Sequence, residues 1–363
     1  MRIAQIAPLI ESVPPPLYGG TERVVSYLTE ELVRLGHDVT LFASGDSVTS
    51  AKLVACCSQG LRLHPTVRDP LPHYMIMLDL VRRMAHDFDV LHFHIDCLHF
   101  PLFHHSGIAT VTTLHGRQDL PDLQHLYRAF PDMPLVSISE AQRAPIANVN
   151  FAGTVLHGLP LERHRPTLEP HGRYLAFLGR ASPEKGLDRA IELAQAVGRP
   201  IRIAAKVDRV DEAYFRERIV PLLKLPQVEF IGEINERTKT EFLGQAAALL
   251  FPIDWPEPFG IAMIEAMACG TPVLAFRKGS VPEVVDDGVT GIIADGFEEA
   301  VKSMDRLLAL DRAVVRRRFE QRFSAERMAR EYLAIYKRLA AKAGTYEAEE
   351  EPLALGCAPE AVN

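Results

Sequence analysis

The sequence predicts an α/β protein built from two doubly wound domains, each a parallel sheet covered on both faces by helices. Three observations lead there. The chain opens with a strand, a glycine-bearing loop, a helix and a second strand in immediate succession. Its second half alternates short β-branched and aliphatic runs with stretches of helical period, and such alternation lays strands side by side in a parallel sheet. Its 363 residues are enough for two domains of ordinary size, each with a core of its own.

Composition narrows the class of partner. A net charge of −7 gives no general attraction to nucleic acid or to a polyanionic surface. Five cysteines, with Cys56 and Cys57 adjacent, form neither a disulfide framework nor a zinc spacing, and they read as reduced thiols. The N-terminus lacks a signal-peptide apolar region, and no apolar run approaches the ~18 residues of a membrane span. The expectation is a soluble cytoplasmic protein, a monomer or weak dimer with no integral membrane segment, and peripheral contact with the inner membrane surface is left open.

Residues 2–7 form the first strand, and a proline-rich loop over 12–18 leads to Gly19, Gly20 and Thr21. A helix follows, with Thr21 suited to the N-cap and Val24, Val25, Leu28, Leu32 and Leu35 on its apolar face. A glycine pair between strand and helix lets backbone amides approach an anion, although tight turns need glycine as well. The second strand covers 38–43, and 44–72 read as loop with short extended pieces. A helix over 74–85 precedes a strand over 89–94, where alternation puts His92 and His94 on one side with Asp96 just beyond. Two histidines and a carboxylate form a metal-ligand set. Polar residues at the C-terminal edge of an open parallel sheet are more often substrate contacts, and that reading assigns His94 and Asp96 to an acceptor, with no metal. Strands at 109–114, 135–138 and 154–156, with a helix from Ser139, complete a first domain over 1–160; His115 ends the 109–114 strand.

Residues 161–173 carry prolines and charges without an apolar pattern and read as a linker. The second domain, 174–323, has strands over 174–178, 201–205, 228–231, 249–252 and 273–276, separated by helices near 187–197, 212–223 and 237–246. Arg180 and Lys185 stand where its first strand meets its first helix, and two cations there would balance a diphosphate as its leaving charge grows. Lys206, after the second strand, is a further candidate phosphate contact. Residues 324–340 form an amphipathic helix with Met328, Tyr332, Ile335, Tyr336 and Leu339 on one face. The acidic tail, 341–363, is expected to be disordered.

The chemistry concentrates in 255–276, a loop, a short helix, a glycine stop and a buried strand. Glu257 lies just before the helix and Glu265 inside it, with Pro258 and Gly260 shaping the entry and Gly270 the exit. Free N–H groups at the helix start attract phosphate, while carboxylates bind sugar hydroxyls through charge-assisted hydrogen bonds. Helical side chains lean toward the N-terminus, so Glu265 reaches back toward Glu257. The pair therefore reads as two hydroxyl clamps around one diphosphate, the groups of a nucleotide sugar. Apart from Glu265 the helix is apolar nearly all round; it should be buried, and a buried carboxylate needs a partner.

Glu257 and Glu265 followed by Ala266-Met267-Ala268-Cys269-Gly270-Thr271-Pro272-Val273, together with the N-terminal glycine pair and the 179–186 segment, resemble the family-four retaining glycosyltransferases (glycosyl transferases group 1) over about residues 1–340. The resemblance implies the GT-B fold: two Rossmann-like domains whose parallel sheets face a central cleft, with the terminal helix packing back on the first domain. It implies a donor site at Gly19, Gly20, Arg180, Lys185, Lys206, Glu233, Ile234, Glu257, Phe259, Gly260, Ile261 and Glu265. Within it Glu265 takes the ribose, Glu257 the transferred sugar, Arg180 and Lys185 the phosphates, and the backbone around Glu233 and Ile234 the base. His115 is implied as a catalytic residue beside sugar and acceptor, with Arg180, Lys185 and Glu257. Catalysis by front-side displacement without cofactor or metal comes with the resemblance. Two departures stand out, His157-Gly158 in place of the usual Asn-Gly and Ala204-Ala205-Lys206 in place of a glycine-rich turn.

UDP-glucose is the favoured donor, and the acceptor is a hydroxyl on a sugar, lipid or small molecule. Two other readings remain on the residues alone: a nucleotide-sugar epimerase on the same architecture, since fold does not fix function, and a non-catalytic sugar-nucleotide-binding protein. The retained leaving-group cations Arg180 and Lys185 speak against the second.

Overall fold

A computed structural model describes residues 1–344 except Leu63 and Ala147. The predicted acidic tail lies outside the described residues from 345 onward. The first sheet contains β1 (Arg2–Ile6), β2 (Asp38–Ser44), β3 (Lys52–Cys57), β4 (Val90–Phe93), β5 (Thr110–Thr113), β6 (Leu135–Ser137) and β7 (Phe151–Thr154). The second contains β8 (Leu175–Arg180), β9 (Ile201–Lys206), β10 (Val228–Phe230), β11 (Ala248–Phe251), β12 (Val273–Phe276) and β13 (Gly291–Ala294). Their orders are β3-β2-β1-β4-β5-β6-β7 and β10-β9-β8-β11-β12-β13, and every pairing is parallel. Strand succession reverses between β1 and β4 and again between β8 and β11. At such switch points the connecting loops part and leave a crevice at the carboxyl ends of the strands.

Burial on both faces explains why the strands read as unbroken apolar runs: β4, β11 and β12 are buried at every position. The parts missed in the sequence are those without that signature. β3 is an edge strand, only half buried, within the stretch read as loop. The helix Pro121–Ala129 buries only Tyr127. β13, missed as well, is the exception, buried throughout like β12. Nor does Thr21 cap the first helix: the helix spans Gly20–Arg34, with Gly19 at the N-cap and no side-chain capping bond.

The final helix, Ala325–Ala343, buries Met328, Tyr332, Ile335 and Tyr336. It lies against the helix Gly20–Arg34 and β4, so the C-terminal end of the described chain packs on the first sheet. The two crossings between the sheets run side by side. Leu159 N donates to Phe323 O (2.8 Å) and Ala325 N to Leu159 O (2.9 Å). At Gly158 a Cβ would fall 2.3 Å from Ser324 O, so only glycine permits the approach. No helix among the described residues is long and apolar enough to cross a membrane.

Candidate active site

The carboxyl ends of the two sheets enclose a cavity of about 430 Å³, within the range of small-ligand sites. Gly19, Gly20 and His115 line it from the first domain. Arg180, Lys185, Lys206, Glu233, Ile234, Glu257, Phe259, Gly260, Ile261 and Glu265 line it from the second. Residues far apart in sequence thus meet because the loops after β1, β5, β8, β9, β10 and β11 all leave the same edge.

The loop bearing Glu257 is held from both sides. Ser280 N donates to Glu257 O (3.0 Å) and Ser280 Oγ to Phe259 O (2.9 Å). From the first domain, Ser139 Oγ donates to Pro258 O (2.6 Å). Gly260 turns the chain into the helix Ile261–Ala268 with φ 77°; a Cβ there would lie 2.7 Å from Met263 Cε and 2.9 Å from Phe251 Cζ. The helix is buried from Ala262 to Ala268, so its N–H end is fixed at the cavity wall. Fixed donors lose little entropy when an anion binds.

Each cleft cation already has a counter-charge. Lys185 pairs with Glu257, which also accepts from Trp255 Nε1 (2.9 Å). Arg180 pairs with Glu184 and, at 3.1 Å, with Asp211. Lys206 meets Asp208 at 2.7 Å and sits 4.7 Å from the centre of the Tyr18 ring. Glu265, 2% exposed, takes Lys239 Nζ at 2.6 Å, which answers the sequence-level requirement for a partner. Lys239 lies 3.4 Å from Glu236, and Glu236 pairs with Arg23 of the first domain and lies 3.2 Å from His164 Nε2. Burial tends to raise the Glu236 carboxyl pKa. The His164 hydrogen bond and the charges of Lys239 and Arg23 outweigh that and hold it well below the usual range. Among the described residues, His164, Glu236 and Glu265 form the grouping compact enough for a cation, with ligand atoms within 4.8 Å of one another. Lys239 and Arg23 already supply positive charge there.

Residues 161–325 match the family model for glycosyl transferases group 1, and residues 18–178 match that for glycosyltransferase family 4. The chain belongs to the family-four glycosyltransferases. A D-inositol 3-phosphate glycosyltransferase of Corynebacterium efficiens is 30% identical over 53% of this chain and 46% of its own length. The chain thus spans about half, or less, of the length of the first such relatives. A glycogen synthase of Mycobacterium tuberculosis is 26% identical over 91% of this chain and 93% of its own. Among solved structures, AviGT4, a glycosyltransferase of avilamycin A biosynthesis, superposes with a TM-score of 0.71 at 25% identity, covering 94% of this chain and 98% of that one. HepE of Anabaena, solved with UDP and glucose, has the same fold (TM-score 0.70, 16% identity, 92% and 98% covered).

Of the first-domain residues assigned to an acceptor in this family-four chain, His115 lines the cleft and His94 and Asp96 do not. His94 is 3% exposed and Asp96 is exposed at φ 52°, and neither lines the cleft. His94 stands behind His115, with its Nδ1 2.9 Å from His115 Nε2. Both ring nitrogens of His92 are taken, by Tyr336 OH (2.6 Å) and Thr113 Oγ1 (2.7 Å), which removes it from any ligand set with His94 and Asp96. His157, the departure from Asn, lines the cleft and lies between His115 (5.4 Å, stacked) and Phe259 (4.8 Å).

Sequence reasoning missed Lys239, Glu236, Arg23 and the ion pair of Glu11 with Arg62, which also lines the cleft. Arg23 left a trace, a charged residue beside Val24 in the first turn of an otherwise apolar-faced helix. The others sit in segments whose surface composition hides their burial.

Proposed function

We propose that this chain transfers a hexose, with retention, from a nucleotide-diphosphate sugar to a hydroxyl acceptor, and that UDP-glucose is the donor. The observation that carries this is the placement of Glu257 and Glu265 on one cavity, either side of a fixed helix N-terminus, with Lys185 and Arg180 on the same wall. Glu265 holds ribose hydroxyls, Glu257 hydroxyls of the transferred sugar, and the amides of Phe259 to Ile261 the phosphates. Lys185 and Arg180 take up charge as the sugar–phosphate bond breaks. The acceptor oxygen bonds to the anomeric carbon from the face the phosphate leaves, and the leaving phosphate oxygen takes the acceptor's proton. No metal enters the step, since cations and helix dipole supply the positive charge. His115, Ile10, Glu11 and Arg62 leave the first-domain side to the acceptor.

The solved complexes of HepE with UDP and with UDP-glucose support a uridine donor. The inositol phosphate, glycogen and sucrose-phosphate chemistry named for relatives supports a polyol hydroxyl as acceptor. A thermal-shift panel of UDP-, GDP- and ADP-sugars, followed by product analysis, tests the reading. UDP-glucose should raise Tm most, and a new glycosidic bond should form with sugar acceptors. A changed free donor without a new bond would establish an epimerase instead, and no shift with any nucleotide sugar would overturn the donor site.

A further inference from the structure

A chain of hydrogen bonds links the final helix to the cleft. Gln5 Nε2 donates to Tyr336 OH (3.1 Å), Gln5 Oε1 lies 2.8 Å from His94 Nε2, and His94 Nδ1 lies 2.9 Å from His115 Nε2. An amide oxygen only accepts, so His94 Nε2 carries a hydrogen. Burial, with His92, His115 and His157 nearby, holds the His94 pKa well below its ordinary value, so the ring is neutral and its Nδ1 is an acceptor. His115 Nε2 must then donate to it. Burial pushes the His115 pKa down to about 3, so this ring is neutral too and its Nδ1 carries no hydrogen.

With the amide in this orientation the other arm of the chain is satisfied as well. Tyr336, having accepted from Gln5, has one hydrogen to give, and His92 Nδ1 lies 2.6 Å away; His92 Nε2 then donates to Thr113 Oγ1 at 2.7 Å. His115 Nδ1 has no protein partner among the described residues, nor is it among the sealed polar atoms that lack one. It belongs to a side chain that lines the cleft.

We propose that Gln5 and His94 are positioning residues that hold His115 as its Nε2–H tautomer, so that His115 offers the cleft an acceptor and selects a ligand hydroxyl over a carboxylate or phosphate oxygen. A ligand group that only accepts would meet a lone pair and stay unpaired, whereas a hydroxyl donates to it. The ligand half of this proposal rests on the sugar-nucleotide reading above; the tautomer half does not.

Histidine-labelled full-length protein at pH 7, read by two-bond proton–nitrogen correlation spectra with His115 assigned by His115→Asn, tests both. Wild type should show His115 as Nε2–H, and an Nδ1–H ring overturns the proposal. Gln5 does not line the cleft, so in Gln5→Leu any change at His115 must pass through His94; that variant and His94→Phe should each show both tautomers. Gln5→Glu, whose carboxylate also only accepts, should keep the wild-type form. A single Nε2–H ring in folded Gln5→Leu or His94→Phe overturns the positioning role. By calorimetry, Gln5→Leu should leave UDP affinity within about twofold and weaken UDP-glucose about fivefold, the worth of one hydrogen bond. Equal weakening of both ligands removes the sugar-facing role. Failure of wild type to bind either ligand sinks the donor reading while the spectra still decide the tautomer.

Discussion

Lys239 Nζ lies 2.6 Å from Glu265 Oε1, the inner end of a polar network that runs through Glu236 to Arg23 on the other domain. A carboxylate sealed as tightly as Glu265 is strongly disfavoured unless paired. Lys239 meets its charge without drawing it out of the cleft wall.

The network separates the two glutamates in a binding experiment. Glu265→Ala should weaken UDP by about 1.5–3 kcal/mol, the worth of a hydrogen bond to a charged group. Lys239→Met should weaken UDP in the same direction, because it leaves the buried Glu265 carboxylate without its counter-ion and no longer held in place. Glu257→Ala should spare UDP and weaken only UDP-glucose. Calorimetry giving equal losses of UDP affinity for Glu257→Ala and Glu265→Ala would reverse the assignment.

Lys185 pairs with Glu257 on the cleft wall. A cation whose interaction strengthens as the bond breaks acts on turnover more than on substrate affinity. Lys185→Ala should therefore lower kcat about 10²-fold or more, with a smaller change in donor KM. Steady-state kinetics with kcat unchanged would mean the phosphates lie elsewhere.

Transfer should persist in excess chelator. Arg180, Lys185 and the amide end of the helix Ile261–Ala268 line the cleft and carry the positive charge that a metal would otherwise provide. Activity abolished by chelator and restored by manganese or magnesium would direct attention to His164, Glu236 and Glu265.

Stability should fall on mild acidification. Burial pushes His99 and His115 down to about 3 and holds His92, His94 and His157 well below the ordinary histidine range. In the unfolded chain these rings take up protons as pH drops through about 6.5. The folded chain does not, so the unfolded state binds more protons from about 6.5 down to 3, and folding is favoured less as pH falls. Each ring fully withheld from protonation contributes a slope of up to about 1.4 kcal/mol per pH unit. Denaturation midpoints that stay level between pH 7 and 5 would contradict the burial of this cluster.

Much of the site was legible because its signals are local. The glutamate spacing around a helix entry, the glycine pair and the cations after β8 are short patterns, and their strands announced themselves as apolar runs. Glu257, Glu265, Arg180 and Lys185 were picked from sequence, and they converge on one cavity because a parallel sheet sends its loops to one edge. Edge strand β3 escaped because half-burial erases the pattern on which such reading depends.

The α/β plan of two parallel sheets and the glutamate motif around a helix entry follow from the sequence alone, since both rest on periodicity and on residue types a few positions apart. Only the tertiary structure decided the partners. His94, read as an acceptor contact, is turned inward by Gln5, 89 positions away, and Gln5 is held by Tyr336, 331 positions away. Likewise Lys239, unremarked in its helix, is the counter-ion that Glu265 required. A buried polar group is satisfied by whatever the fold brings within about 3 Å, and that distance is set by how the two sheets and the returning helix pack.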